Sequence, residues 1–191
     1  MKKRLIVIGL AAALSASVCG VKTANAEVLY LPTANYSQRA AEMGIPSSVR
    51  VETTDSEDFY RYTNYRFNLY SWVPVFLDQV QLPTNGDGCT FRNEDDTVVL
   101  SVSGFHRYPG YSIDGAYERE SDSSITYKTR GENWYVVSGV KNGNVYYSKS
   151  FVGDNVVAFL YFSYPYSEKD DYDWIVPILD EHFTSEDWAV F

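Results

Sequence analysis

The chain has 191 residues, with 16 Lys or Arg against 25 Asp or Glu. All 25 acidic residues follow Ala26, whereas four of the 16 basic residues precede it, so the segment from residue 27 onward carries a formal net charge of −13. A chain this acidic repels phosphate backbones and anionic lipid head groups, which argues against nucleic-acid binding and against direct binding to a membrane surface.

The first 26 residues have the pattern of a signal peptide. Residues 2–4 are basic, and residues 5–18 form an apolar run that is too short to span a bilayer comfortably. Ala24 and Ala26 then place small side chains at the two positions that a signal peptidase reads. We therefore expect cleavage after Ala26 and export of residues 27–191 to the periplasm, the cell surface or the medium.

A lipoprotein signal cut before Cys19 is the alternative. Val18 precedes that cysteine, where lipoprotein signals usually have Gly, Ala or Ser. No later stretch is long and apolar enough for a transmembrane helix, and the 165 residues after Ala26 are enough for one domain with a sizeable core.

The sequence of the first part of this domain predicts a helix and a hairpin. Residues 37–43 are predicted to form a short helix, with Ser37 as its cap and Gly44 as its terminator. Residues 59–72 predict two strands around Thr63 and Asn64. The alternation of the second strand places three apolar residues on one face: Tyr65, Phe67 and Leu69.

The stretch PTNGDGCTFRNEDD (residues 83–96) combines a glycine-flanked aspartate, a cysteine and a run of acids. Aligned as an EF-hand loop with Gly88 sixth, it places Asp87 fifth and Glu94 twelfth, but the first position is Pro83, which has no side-chain oxygen. Asn-Gly and Asp-Gly are turn dipeptides, and residues 93–96 are a polar hairpin tip, so we interpret the stretch as turns.

Cys89 is either a reactive thiol or a structural residue. It has no partner cysteine after Ala26, its sequence neighbours are acidic, and there is no CxxC motif. These features favour a partly buried, structural cysteine.

The sequence of the second half of the domain predicts most strands of the sheet. We expect a strand at 97–105, a helix at 112–121 and three antiparallel strands within 124–151. The turns lie at 130–132 and 141–144, where Asn142-Gly143 supplies the positive φ angles of a tight hairpin.

A fourth strand and a helix complete the prediction. Residues 155–164 are apolar on both faces, which predicts a central strand. The chain closes with a helix capped by Asp170 or Asp171 and kinked or started late by Pro177. Its apolar stripe contains Trp174, Ile175, Ile178, Leu179, His182 and Phe183.

No catalytic motif stands out. GYSIDG (residues 110–115) has one residue too many after Ser112 for a nucleophile elbow, and HExxH, phosphate-loop and dinucleotide motifs do not occur. His106 follows a predicted strand, while His182 lies on the apolar face of the predicted C-terminal helix. Carboxylate pairs are numerous, but nothing singles one out. We assign no catalytic, cofactor-binding or metal-binding residue.

All 17 Tyr, four Trp and ten Phe follow Ala26. Exposed rings could stack on sugars or contact a partner, and the candidates are Tyr60, Tyr62, Tyr146 and Tyr147. Cross-strand packing is the interpretation that we favour for these residues.

Five segments resemble a group of bacterial exported proteins related to the PsbP and Mog1 fold. They are YRFNLYSWVP (65–74), NGDGCTF (85–91), VVLSVSG (98–104), ITYKTRGENWYVVSGVKNGNVYYSKS (125–150) and DYDWIVPILDEHF (171–183). The resemblance implies an antiparallel sheet flanked by helices, in a protein with an accessory or binding role and no known catalysis. It carries over no functional residue, and the chain departs from the pattern at Cys89 and Pro177.

Together these observations predict one α+β domain over residues 27–191, with an antiparallel sheet of about six to eight strands flanked by helices. The leading functional hypothesis is a non-enzymatic exported accessory protein that binds a protein or another envelope component. The alternatives are an envelope hydrolase that uses His106 or a carboxylate pair, and a carbohydrate-binding module with exposed Tyr or Trp rings. The sequence predicts no cofactor.

Overall fold

The computed structural model describes residues 28–30, 49–81 and 86–185. Its strands are β1 (Val28–Tyr30), β2 (Val49–Thr53), β3 (Phe59–Asn64), β4 (Leu69–Pro74), β5 (Gln79–Gln81), β6 (Gly88–Arg92), β7 (Val99–His106), β8 (Ile125–Arg130), β9 (Trp134–Lys141), β10 (Asn144–Val152), β11 (Val156–Pro165) and β12 (Thr184–Ser185). Its helices are α1 (Ile113–Arg119), α2 (Lys169–Tyr172) and α3 (Ile175–His182), with a 3-10 turn at Tyr166–Glu168. The helix predicted at 37–43 lies outside the described residues.

Eight antiparallel strands form the large sheet, in the order β1-β5-β6-β7-β11-β10-β9-β8. This confirms the predicted antiparallel sheet of six to eight strands. β11 pairs with β7 on one side and β10 on the other, and its side chains are buried on both faces, as predicted. The β9–β10 hairpin turns at Asn142 and Gly143, which both have positive φ.

A second antiparallel sheet has the order β12-β4-β3-β2. The hairpin predicted at 59–72 belongs to it, but its turn spans residues 65–68, so the prediction that Tyr65 and Phe67 lie on a strand is wrong. The Asn64 side chain causes the difference, because its Oδ1 accepts the Arg66 backbone N–H at 3.0 Å and closes a local turn. Asn68 then adopts a φ of +47°.

Helix α1 confirms the prediction at 112–121, with Ser112 as the N-cap that accepts from the Gly115 backbone N–H. The predicted C-terminal helix is instead divided. Asp170 and Asp171 lie inside α2 rather than capping the long helix, so that prediction is wrong. Pro177 lies in the first turn of α3, where backbone N–H groups have no acceptor within the helix. The N–H that proline lacks therefore costs no helical hydrogen bond, which explains why the C-terminal helix starts late.

The large sheet buries a hydrophobic cluster on each face. On one face it packs against the small sheet and α3, with core residues such as Tyr62, Leu160 and Leu179. On the other face it packs against α1, with Ala116 and Val157 in the core. Among the described helices, none is long and apolar enough to cross a membrane.

Candidate functional site

The Gly86–Gly88 turn is anchored by backbone and side-chain contacts. Gly86 has a φ of +69°, and its carbonyl accepts from Asn64 Nδ2 at 3.1 Å. The Asp87 carbonyl accepts the Gly104 N–H at 2.9 Å, and its carboxylate pairs with the Arg66 guanidinium at 2.7 Å. The turn therefore docks on strand β7 and on the turn between β3 and β4. These contacts give its residues a structural role.

Gly88 is required for a different reason from Gly86. It lies in β6, and a Cβ at this position would come within 2.5 Å of Ser103 Cβ and still closer to the Val102 carbonyl oxygen. The residues after it form a strand, not the helix that an EF-hand needs. Over the described residues, no three His, Cys, Asp or Glu side chains converge in a geometry that could hold a metal ion. Pro83 lies outside those residues.

Cys89 is fully buried rather than partly buried, with 3% of its surface exposed. Burial raises the pKa of its thiol, and a hydrogen bond with Tyr62 opposes this effect only in part. Because the thiolate is the nucleophilic form, the raised pKa makes this cysteine unreactive. The structural interpretation of Cys89 is consistent with this environment.

The two histidines occupy unlike environments. His106 is exposed at the end of β7, where its ring contacts Phe67 edge-on at 5.2 Å. His182 ends α3 and stacks on Trp72, with ring centroids 3.5 Å apart and planes 2° from parallel. Within the part of the chain that the structure describes, no carboxylate hydrogen-bonds to either imidazole. Ser112 is engaged as the α1 cap.

The tyrosines proposed as a sugar-binding row are mostly packing residues. Tyr62, Tyr146 and Tyr147 are buried, and Tyr60 is half-buried against the core. The Tyr147 hydroxyl donates to the Asp180 carboxylate, which joins β10 to α3. Burial confirms that these three rings are packing residues; Tyr146 stacks on Tyr161 of the neighbouring strand β11, whereas Tyr62 packs edge-on against Phe91 of the large sheet.

A different set of rings is exposed at the surface. We define the aromatic cluster as Trp72, Phe76, Tyr172, Trp174 and His182. Trp174 is 48% exposed and Phe76 is 38% exposed, while the other three are half-buried. The cluster therefore combines rigid aromatic rings with solvent access.

Ring contacts connect the cluster to the core. Buried Phe59 touches Trp72 at 5.4 Å and Trp174 at 5.9 Å between centroids. Phe76 contacts Tyr172 with ring centroids 5.6 Å apart, and Tyr172, two residues before Trp174 in the chain, packs against the hydrophobic core. The Trp174 indole N–H donates to the Asp171 carbonyl at 2.9 Å, which fixes the ring orientation. These contacts hold the exposed rings in place, so little conformational entropy would be lost on binding.

The surroundings of the cluster are acidic. Burial raises the pKa of the Tyr172 phenol, and the nearby carboxylates of Glu168, Asp171 and Asp95 raise it further. Lys169 is paired with Asp173. The cluster is thus an aromatic surface in a negative field.

This site was not predicted, because helical spacing placed Trp174 on the apolar stripe of the C-terminal helix, which Pro177 was expected to kink or to start late. The chain breaks the helix at Asp173 and Trp174, and the side chain of Trp174 projects to solvent while Ile175 and Leu179 are buried as predicted. The sequence DYDWIVP was the available signal for this break in the helix, because its proline lies three residues after the tryptophan.

Two polar clusters, one buried and one half-buried, have structural roles. Lys149 is buried between β10 and α3, and its ammonium binds the Asp180 carboxylate at 2.8 Å and the Asp180 carbonyl at 2.9 Å. On the opposite face, burial raises the pKa of Glu120, although Lys128 and Tyr135 partly offset the effect. The Lys128 ammonium also donates to the Glu120 carbonyl at 2.6 Å. These contacts attach helical segments to the large sheet.

Comparison with known proteins supports the fold. No protein-family model matches the chain, and no curated protein matches it. The chain is similar to the solution structure of cyanobacterial PsbP (CyanoP) from Synechocystis sp. PCC 6803, with a TM-score of 0.50 and 10% sequence identity. The match covers 69% of this chain and 95% of that chain. The PsbP-like fold predicted from the sequence is therefore confirmed.

Proposed function

We propose that this chain is an exported, non-enzymatic accessory protein of the bacterial envelope that binds another protein through the aromatic cluster. The observation that carries the proposal is the exposure of Trp174 and Phe76 on rings that are already fixed by the core. Rigid aromatic side chains are the commonest energetic anchors of protein interfaces. The signal-peptide pattern of residues 1–26 supports export.

The environments of the candidate catalytic residues favour binding over hydrolysis. General-base catalysis needs a base held within hydrogen-bonding reach of the group that it activates. His106 is exposed beside Phe67, and His182 is stacked flat on Trp72. Neither arrangement pairs an imidazole with a nucleophile among the described residues.

A protein partner fits the cluster better than a carbohydrate does. The Trp174 indole N–H is already bound to a backbone carbonyl, and the planes of Trp72 and His182 cover each other. Sugar stacking on Trp72 would need the ring face that His182 covers, whereas the exposed side chains of Trp174 and Phe76 can pack against apolar side chains of a protein partner.

Selection from a displayed random-peptide library tests the proposal. The wild-type protein should enrich peptides whose affinity falls about tenfold with Trp174→Ala, the loss of roughly 1.4 kcal/mol that an anchor residue contributes. Phe76→Ala should weaken the same peptides. Tyr127→Ala is the matched control, because Tyr127 is also exposed (56%) but lies on β8.

The proposal fails if no peptide is enriched. It also fails if the enriched peptides bind Trp174→Ala as tightly as they bind the wild type. A glycan array that gives a Trp174-dependent signal in place of peptide enrichment would replace the protein partner with a carbohydrate.

A further inference from the structure

We propose, on the basis of the function above, that the partner segment at the aromatic cluster is cationic, with Lys or Arg side chains beside apolar ones. The distribution of charge around the cluster and the placement of the chain's own cations both favour a cationic partner.

The first observation is the local excess of carboxylates. The segment that carries Tyr172 and Trp174 reads EKDDYDW (residues 168–174), with four acids and one lysine. That lysine, Lys169, is paired with Asp173. Asp170 and Asp171 are exposed on α2 and form no ion pair with a described residue. An approaching anionic segment would be repelled here, while a cationic segment would be attracted.

A carboxylate from another part of the chain adds to the charge of residues 168–174. Burial raises the pKa of the Tyr172 phenol, and the carboxylates of Glu168, Asp171 and Asp95 raise it further. Asp95 comes from the hairpin tip between β6 and β7, so the negative field is built from two separate parts of the chain. The negative field at the ring is therefore not confined to α2.

The second observation concerns cation–π contacts. Among the described residues, a Lys or Arg lies over each of seven rings: Tyr65, Phe67, Tyr70, Tyr111, Tyr117, Trp134 and Phe151. In that same part of the chain, none lies over Trp72, Phe76, Tyr172 or Trp174. Arg61 is paired opposite Trp72 in the register of β3 and β4, but its guanidinium lies over Tyr70. The cluster thus combines exposed aromatic rings with nearby carboxylates, and its own rings are left without a described Lys or Arg over them.

These features suit the two parts of a Lys or Arg side chain. The aliphatic stem packs on exposed ring surface, while the charged head can sit over a ring or beside a carboxylate. Trp174 is the most suitable ring, because indole gives the strongest cation–π attraction and this side chain is the most exposed of the cluster. Asp171 lies next to it, since its carbonyl accepts the indole N–H.

The test starts from the peptides enriched by the wild-type protein. The pool should be enriched in Lys and Arg beside apolar residues. In the tightest-binding synthetic peptide, replacing its cations with Gln should weaken binding at least about tenfold, the scale expected for charge pairs at an interface. Asp171→Asn should weaken the unmodified peptide severalfold, and raised salt should reduce the difference.

Asp154→Asn is the matched control for Asp171→Asn, because Asp154 is an exposed acid in the turn between β10 and β11. It should leave peptide affinity unchanged. Peptides that require Trp174 but are neutral or acidic, and that bind Asp171→Asn normally, would overturn the cationic partner while leaving the binding function standing. If no peptide depends on Trp174, the binding function fails and the cationic partner fails with it.

Discussion

The Gly86–Gly88 turn and the aromatic cluster show opposite relations between sequence and role. The turn contains an aspartate, a cysteine neighbour and two glycines, which suggests chemistry, yet these residues dock the turn against β7 and the β3–β4 turn. The residues of the aromatic cluster belong to segments whose apolar pattern predicts ordinary core packing, yet Trp174 and Phe76 lie at the surface. Residue type suggests chemistry, but burial and contacts decide the role.

The strongest test of this difference is Gly88→Val. The added side chain would overlap the Val102 carbonyl and Ser103, so we expect the free energy of unfolding to fall by about 3 kcal/mol. Gly86→Val should cost roughly 1–2 kcal/mol, because a β-branched residue is strained at a φ of +69°. Urea unfolding measures both values. A Gly88→Val protein as stable as the wild type would contradict the close approach of β6 and β7.

Cys89→Ser tests whether the cysteine is a core residue. We expect the free energy of unfolding to fall by about 1–2 kcal/mol, since a more polar hydroxyl replaces a thiol at a fully buried position. Thermal unfolding gives the change. In the same protein, modification of Cys89 by a thiol reagent should be slow until the chain unfolds, and rapid modification of the native protein would show that the thiol is accessible.

Asp87→Ala should have a smaller effect on stability. Its pair with Arg66 is well exposed, so we expect less than about 1 kcal/mol. Calcium should leave the melting temperature unchanged, because a ligand that does not bind the native state cannot stabilise it. A rise of several degrees with calcium that Asp87→Ala abolishes would make this turn a metal site and reverse the comparison.

Trp174→Ala should also have only a small effect on stability. The side chain is half exposed and contacts the core mainly through Phe59, so we expect a loss of about 1 kcal/mol or less. Chemical unfolding of Trp174→Ala beside Gly88→Val measures the contrast directly. A loss from Trp174→Ala as large as that from Gly88→Val would mean that the indole is needed for folding, as the sequence pattern first predicted.

The sequence predicted the large sheet well because local signals agreed with tertiary structure there. Asn142 and Gly143 fix the β9–β10 hairpin through their positive φ angles, and the apolar residues on both faces of β11 identify a central strand. The β3–β4 turn was misplaced because the hydrogen bond from the Arg66 N–H to the Asn64 side chain competes with strand alternation.

The aromatic cluster could not be predicted because it depends on contacts between distant segments. Helical spacing placed Trp174 and His182 on one buried stripe, but the chain breaks the helix before Ile175. His182 then stacks on Trp72 from β4, and Tyr172 meets Phe76 from the segment after that strand. Sequence spacing gives the face of a helix, but it does not show which distant rings will meet that face.

The most direct test of the account is a titration followed by the tryptophan indole N–H signals in nuclear magnetic resonance spectra. The chain has four tryptophans, including Trp72 and Trp174 in the cluster and Trp134 on β9 as an internal control. On addition of the tightest-binding cationic peptide, the signals of Trp174 and Trp72 should shift in a saturable way while that of Trp134 stays in place. Saturable shifts at Trp134 alone, or binding with no change at Trp174, would contradict the assignment of the aromatic cluster as the binding surface.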